Sequence, residues 1–162
     1  MIMSQTVQIS DVREFMARHL ADVFDTMLSM KAVLVSGVKV PLSGERVSGS
    51  VGFAGETVTG AVYLHLSAPF AHQVAAAMLG LPPQEIAGET DVNDVVGEAT
   101  NMLTGGLKSW LCDMGSECAV STPAIIRGSA FVIECVPDVA REWLVYECDN
   151  NRIVVEIHIK LS

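Results

Sequence analysis

Glu98 and Asn101 are the residues of this chain best placed to do chemistry. They stand at i and i+3 within DVNDVVGEATNMLTGGLKSWL, Asp91 to Leu111. At about 100° per residue, a helix over this stretch lines up Asp94, Glu98, Asn101, Gly105 and Lys108 in one narrow stripe. Val92, Val95, Val96, Ala99, Met102, Leu103 and Trp110 fall on the opposite side. A carboxylate and a carboxamide then point the same way into solvent. Gly105 and Gly106 leave the following turn bare, so another backbone can approach closely. An acid, an amide and a bare patch on one rigid helix suit action on another macromolecule. The stripe also reads as an ordinary solvated face, because most polar helix faces only meet water. Gly105-Gly106 reads equally as a helix end, with residues 107–112 a separate turn. Glycine in a helix interior costs about 1 kcal/mol relative to alanine. Gly97, Gly105 and Gly106 in one helix therefore imply close packing or a docking surface.

The elements that must position this stripe follow from periodicity. Val12, Phe15, Met16, His19, Leu20, Val23, Phe24, Met27 and Leu28 recur at helical spacing behind Ser10 as N-cap, which predicts a first helix over about 11–30. Strand-like runs follow at 32–40, 47–54 and 57–66, broken by Pro41, Ser43-Gly44 and Gly55-Glu56. Ser67 caps a short helix over 68–79, which Gly80 closes. After a Pro82-Pro83 loop, Thr90 or Asp91 caps the Glu98/Asn101 helix. Strands are expected at 118–122, 130–136, 143–148 and 153–161, the last two joined by a turn at Asn150-Asn151. In the final strand Ile153, Val155, Ile157, Ile159 and Leu161 alternate with Val154, Glu156, His158 and Lys160, predicting one buried and one wet face. The order α-βββ-α-α-ββββ predicts an α+β fold, an antiparallel or mixed β-sheet with helices packed on it as a layered sandwich.

Composition bounds the function. The chain has 162 residues, half of them hydrophobic, which fits a single domain over 1–162 with a sizeable core. No apolar run approaches the ~20 residues of a membrane span, and MIMSQTVQ does not read as a signal peptide. A cytoplasmic protein is expected. The net charge of −9 and the lack of a Lys/Arg cluster argue against nucleic acid and anionic membrane as partners. Cys112, Cys118, Cys135 and Cys148 form no CxxC and read as reduced core thiols. His19, His65, His72 and His158 are scattered and read as surface residues, so no metal site is expected.

The string Asp94-x3-Glu98-x2-Asn101, followed by Pro123, resembles the signature of the CheC/CheX/FliY family of chemotaxis phosphatases. GAVYLHLSAPFAHQVAAAMLG is similar to the strand and helix before the signature helix, GEATNMLTGGLKS to that helix, and TPAIIRG to the loop and strand after it. The likeness runs from about Val47 to the C-terminus. CheC-like members carry two such helices and CheX-like members one. Here Glu14 is followed at i+3 by Ala17, so the first helix has no second copy and the chain resembles the CheX-like branch.

The resemblance implies a phosphatase of an aspartyl phosphate in a response-regulator receiver domain of the CheY type. Asn101 would orient the attacking water and Glu98 would pair with the receiver's active-site lysine. Asp94, Gly105 and Lys108 would contact the partner, although Asp94 reads also as a solvated first-turn acid. No cofactor of the chain's own is implied; Mg²⁺ would be held by the partner receiver. CheX-like members resemble dimers joined through their sheets, so a homodimer through sheet edges is expected. The alternative is a non-catalytic adaptor of the same fold that binds a receiver domain or a flagellar-switch component. A metabolite enzyme finds no support, as there is no Gly-rich phosphate loop and no Ser/His/Asp set in sequence.

Overall fold

The computed structural model describes residues 6–38 and 42–162. The elements are α1 (Ile9–Leu28), β1 (Val33–Ser36), β2 (Arg46–Ala54), β3 (Val58–Ser67), α2 (Ala68–Leu79), α3 (Gly88–Asp113), β4 (Ala119–Val120), β5 (Ala124–Gly128), β6 (Ala140–Cys148) and β7 (Asn151–Leu161), with a 3-10 turn at Pro83–Glu85. This is the expected α+β order. The strands form one antiparallel sheet in the order β1-β6-β7-β3-β2, with β4 and β5 both on the outer edge of β2.

Local chemistry accounts for the helix ends. Asp11 accepts from the Gln8 N–H at 3.1 Å, so α1 starts ahead of the expected Ser10 cap. Ser67 Oγ accepts from Phe70 N–H, and Gly80 ends α2 in the left-handed region at φ 65°. Helix α3 begins a turn earlier than expected because Asp91 reaches back to the Ala87 N–H at 2.8 Å.

The three helices share one face of the sheet. Met16, Leu20 and Phe24 of α1, Phe70 and Val74 of α2, and Val96, Leu103 and Leu107 of α3 join Val47, Leu64, Leu66, Leu144, Ile153, Val155 and Ile157 in one apolar cluster. Each large side chain sealed there contributes roughly 1.5–3 kcal/mol. Helix α3 packs on β2 and against both other helices. Gly49 permits that approach, since a Cβ there would run into the Thr100 hydroxyl. Thr100 and Thr104 are fully buried and satisfy their hydroxyls on the carbonyls of Val96 and Thr100, at 2.7 and 2.8 Å.

Two expectations fail in the C-terminal half. Residues 130–136 form no strand; the strand is β5, at Ala124–Gly128, paired with Arg46–Ser50 of β2. Residues 129–139 instead run across the sheet's second face, where Arg141 donates to the Ile133 carbonyl at 2.9 Å and Arg46 donates to the Phe131 carbonyl. The segment keeps the alternation of a strand, with Phe131, Ile133 and Cys135 partly buried and Val132, Glu134 and Val136 exposed. The expected wet face of β7 is therefore covered, and Val154, Glu156 and His158 are buried on it. The hairpin turn is Asp149-Asn150, both at positive φ (48° and 64°), one residue ahead of the expected pair. Strand β1 is shorter than expected, and the expectation for Lys39, Val40 and Pro41 lies outside the described residues.

Candidate functional site

Helix α3 is continuous through Gly105 and Gly106, so these glycines are not a helix end. Its outward stripe is as expected in position. Asp94, Glu98 and Lys108 are exposed, and Asn101 and Gly105 are half-buried. Among the described residues, the side chains of Glu98 and Asn101 make no hydrogen bond or ion pair within the chain. At 1.5 Å rise per residue the two lie ~4.5 Å apart along the axis. The base beneath them is rigid: Val95, Val96, Ala99, Thr100, Leu103 and Thr104 are all buried. Met102 and Trp110, expected on the apolar side, sit half-buried at the flank facing α1.

Gly97, Gly105 and Gly106 of α3 differ in purpose. A Cβ on Gly97 would rest 3.4 Å from the Pro123 ring and 3.8 Å from Ile125, so β5 and the loop before it flank the helix beside Glu98. A Cβ on Gly106 would fall inside the His19 imidazole of α1. Gly105 has open space where its Cβ would be. Close packing thus requires glycine at Gly106, a methyl at Gly97 would make only ordinary contact, and Gly105 leaves the stripe bare a turn beyond Asn101.

Arg127 fastens this flank. From β5 it donates to the Asn93 side chain at 2.8 Å and to the Glu89 carbonyl at 3.4 Å, and it lies 3.9 Å from Glu45. On the other flank Phe15 stacks on both His19 and Trp110, with centroids 5.2 and 5.3 Å apart.

A second polar cluster, which sequence reasoning missed, lies on the opposite face of the sheet. Ser48 Oγ sits 2.6 Å from His65 Nδ1, and His65 Nε2 lies 3.1 Å from Glu156 Oε1. His158 Nε2 is 2.6 Å from the second carboxylate oxygen, which also lies 3.6 Å from Arg141. His65, Glu156 and His158 are only 2, 2 and 7% exposed, which corrects their reading as surface residues. The physical reason is the covering segment 129–139. Burial alone would raise the Glu156 carboxyl, but the hydrogen bonds and charges of His65 and His158 outweigh it and hold the group down at about 2. Serine, imidazole and carboxylate stand in the order of a hydrolytic relay, yet Ser48 is fully buried, so in this form the set holds the sheet together. The available signal was the Glu156-x-His158 spacing, which puts both side chains on one strand face.

The cysteines are all free. Only Cys148 is a buried core thiol; Cys112 is exposed, and Cys118 and Cys135 are half-buried. Burial raises the thiols of Cys118, Cys135 and Cys148. Among the described residues no group of three or more His, Cys, Asp or Glu is placed to hold a metal ion, and no helix is long and apolar enough to cross a membrane.

The family described as chemotaxis phosphatase CheX matches residues 47–147, which contain the whole of α3 and the Pro123 flank. None of the curated proteins matches. Among solved structures, a CheC-like superfamily protein from Shewanella sp. PV-4 is 27% identical, with a TM-score of 0.79 over 95% of this chain and 99% of its own. The chemotaxis protein CheX of Vibrio vulnificus shares the fold at 23% identity, TM-score 0.80, over 96% of this chain and 100% of its own. CheX in a CheX-CheY-BeF3-Mg²⁺ complex from Borrelia burgdorferi shares it at 21% identity, TM-score 0.76, over 93% and 98%.

Proposed function

The chain belongs to the family of the chemotaxis phosphatase CheX, and on that premise we propose that it hydrolyses the aspartyl phosphate of a CheY-like response-regulator receiver domain. One observation carries the reading: Glu98 and Asn101 face outward on a helix seated firmly from behind, and neither side chain is committed to a partner among the described residues. CheY is the partner in the Borrelia complex, which agrees with this choice of substrate.

An acyl phosphate needs little covalent help. Water attacks phosphorus in line with the leaving carboxylate, the P–O bond to that carboxylate breaks, and inorganic phosphate departs. Catalysis consists of placing the water and stabilising charge. Asn101 offers two donors and an acceptor without a charge that would repel the phosphoryl group, and it orients the water. A bare carboxylate beside a phosphoryl dianion would be repelled, so Glu98 pairs with the receiver's active-site lysine and sets the register of docking. Asp94, Gly105 and Lys108 continue the contact along the same stripe. The chain needs no cofactor of its own; Mg²⁺ stays with the acids of the receiver, and the site of action is the cytoplasm.

The proposal includes a homodimer through sheet edges. Strand β1 is an end strand of the sheet, and Val33, Leu34 and Val35 on it are 50, 41 and 49% exposed. An apolar strand with a free edge is a pairing surface.

The test follows phosphate loss from phosphorylated CheY-type receivers of the same cell. Asn101→Ala abolishes turnover and leaves docking nearly intact, whereas Glu98→Ala weakens both. Full activity in Asn101→Ala removes the water-orienting role. Binding by the unaltered protein without faster phosphate loss makes it an adaptor instead.

A further inference from the structure

Helix α3 carries two consecutive residues of low helix propensity just beyond the proposed catalytic amide. Gly105 and Gly106 follow Asn101 by one turn, and glycine both lowers helix propensity and loosens the backbone. Helix α1 crosses that weak point with a specific set of contacts. The His19 imidazole fills the space a Gly106 side chain would occupy. Its Nε2 lies 3.2 Å from the carbonyl of Met102, the residue next to Asn101. A carbonyl only accepts, so Nε2 carries the proton and donates. In a regular helix the Met102 carbonyl is the partner of the Gly106 N–H. His19 therefore sits over both ends of one helical hydrogen bond.

The ring is itself held. Phe15, one turn earlier on α1, stacks on His19 with the planes 23° apart. Phe15 also stacks on Trp110 of α3, at 15°. Two residues of α1 thus grip α3 at Met102, ahead of the glycine pair, and at Trp110, beyond it.

We infer that His19 is a positioning residue for Asn101: its hydrogen bond to Met102 and its seat on Gly106 splint α3 across the glycines and hold the amide in its reactive orientation. This rests on the reading of Asn101 given above. The glycine pair then has a divided purpose. Gly105 keeps the outer surface open, and Gly106 admits the splint that offsets the lost stiffness.

The experiment compares His19→Leu, which fills the ring's space without a donor, with His19→Gln, whose amide nitrogen reaches about as far as Nε2. Gly106→Ala pushes the ring away from the other side. All three are assayed as full-length protein on a CheY-type receiver phosphorylated with acetyl phosphate, with folding checked by circular dichroism. His19→Leu and Gly106→Ala lower kcat by about ten- to a hundredfold, the size expected for a misplacement of an ångström, and KM stays within about twofold because the docking stripe is untouched. His19→Gln restores most of kcat. Equal activity in His19→Leu and His19→Gln, or a change in KM alone, overturns the inference. Asn101→Ala is run beside them: if it retains activity the reading of Asn101 fails, whereas if it is dead while folded His19→Leu keeps its kcat, only the splint fails. Should Gly106→Ala not fold, the Leu–Gln pair decides.

Discussion

His65 and Glu156 meet across the β3–β7 ladder with Nε2 3.1 Å from the carboxylate, although 91 residues separate them in the chain. His158 takes the other oxygen from its own strand, and Arg141 approaches from β6. One carboxylate therefore ties three neighbouring strands together on the face that the helices do not cover. Removing one partner of such a buried set leaves the remaining charges uncompensated, at a cost of roughly 3–5 kcal/mol. Glu156→Gln is expected to lose about that much stability at pH 7, measured by urea denaturation.

The same group predicts an acid response. Its carboxyl is held at about 2 against an ordinary 4.5. A depressed folded-state value means stability that is present above about pH 4.5 and is lost as pH falls towards 2. The stability difference between the unaltered chain and Glu156→Gln should therefore shrink over that window. A difference that stays constant from pH 5 to pH 2.5 would show that the carboxylate is not held in its charged form.

Gly49 and Gly105 should respond in opposite ways to alanine. At Gly49 the new methyl meets the buried Thr100 hydroxyl, and overpacking of this kind costs about 1–3 kcal/mol. It also lifts α3 from β2, so activity falls too. At Gly105 the new methyl meets no atom of the described residues within 4 Å, and the helix gains up to about 1 kcal/mol in propensity. Thermal melting of both variants checks the pair of signs.

A bulky side chain at Gly105 separates folding from docking. Gly105→Trp should melt at nearly the temperature of the unaltered protein, because a Cβ there meets no described atom within 4 Å. Its affinity for a phosphorylated receiver should drop at least tenfold if the bare patch is part of the contact. Titration of a labelled receiver measures this, and unchanged affinity removes Gly105 from the docking surface.

Arg127 offers a local test of the other flank. Its guanidinium holds the Asn93 side chain and the Glu89 carbonyl near the start of α3. Arg127→Ala should cost about 1–2 kcal/mol and speed amide exchange in the first turns of α3 more than around Asn101. Exchange that rises evenly along the helix would contradict this.

The edge of the sheet gives the last prediction. Leu34→Lys places a charge on the exposed β1 strand, the device by which sheet edges resist pairing. Light scattering should report a smaller assembly than for the unaltered chain, with the helical circular dichroism unchanged. Equal masses would exclude β1 as a dimer edge.

The helices and the stripe were legible before any coordinates because a helix is a local object. Its hydrogen bonds close within four residues, so the spacing of Asp94, Glu98, Asn101, Gly105 and Lys108 already defined a face. The order of helices and strands along the chain was legible for a related reason, since turn residues punctuate the chain. What alternation could not reveal was the covering of the second sheet face. Glu156 and His158 alternate with isoleucines and valines as solvent-facing residues would, and 130–136 alternates as a strand would. Only the folded chain lays that segment over the sheet and gives the pairing edge of β2 to 124–128 instead. The same holds for His19 and Gly106, which lie 87 positions apart and fit one another because α1 and α3 pack side by side. Periodicity reports which way a side chain points. Which partner waits there depends on contacts between distant segments, and those exist only once the chain has folded.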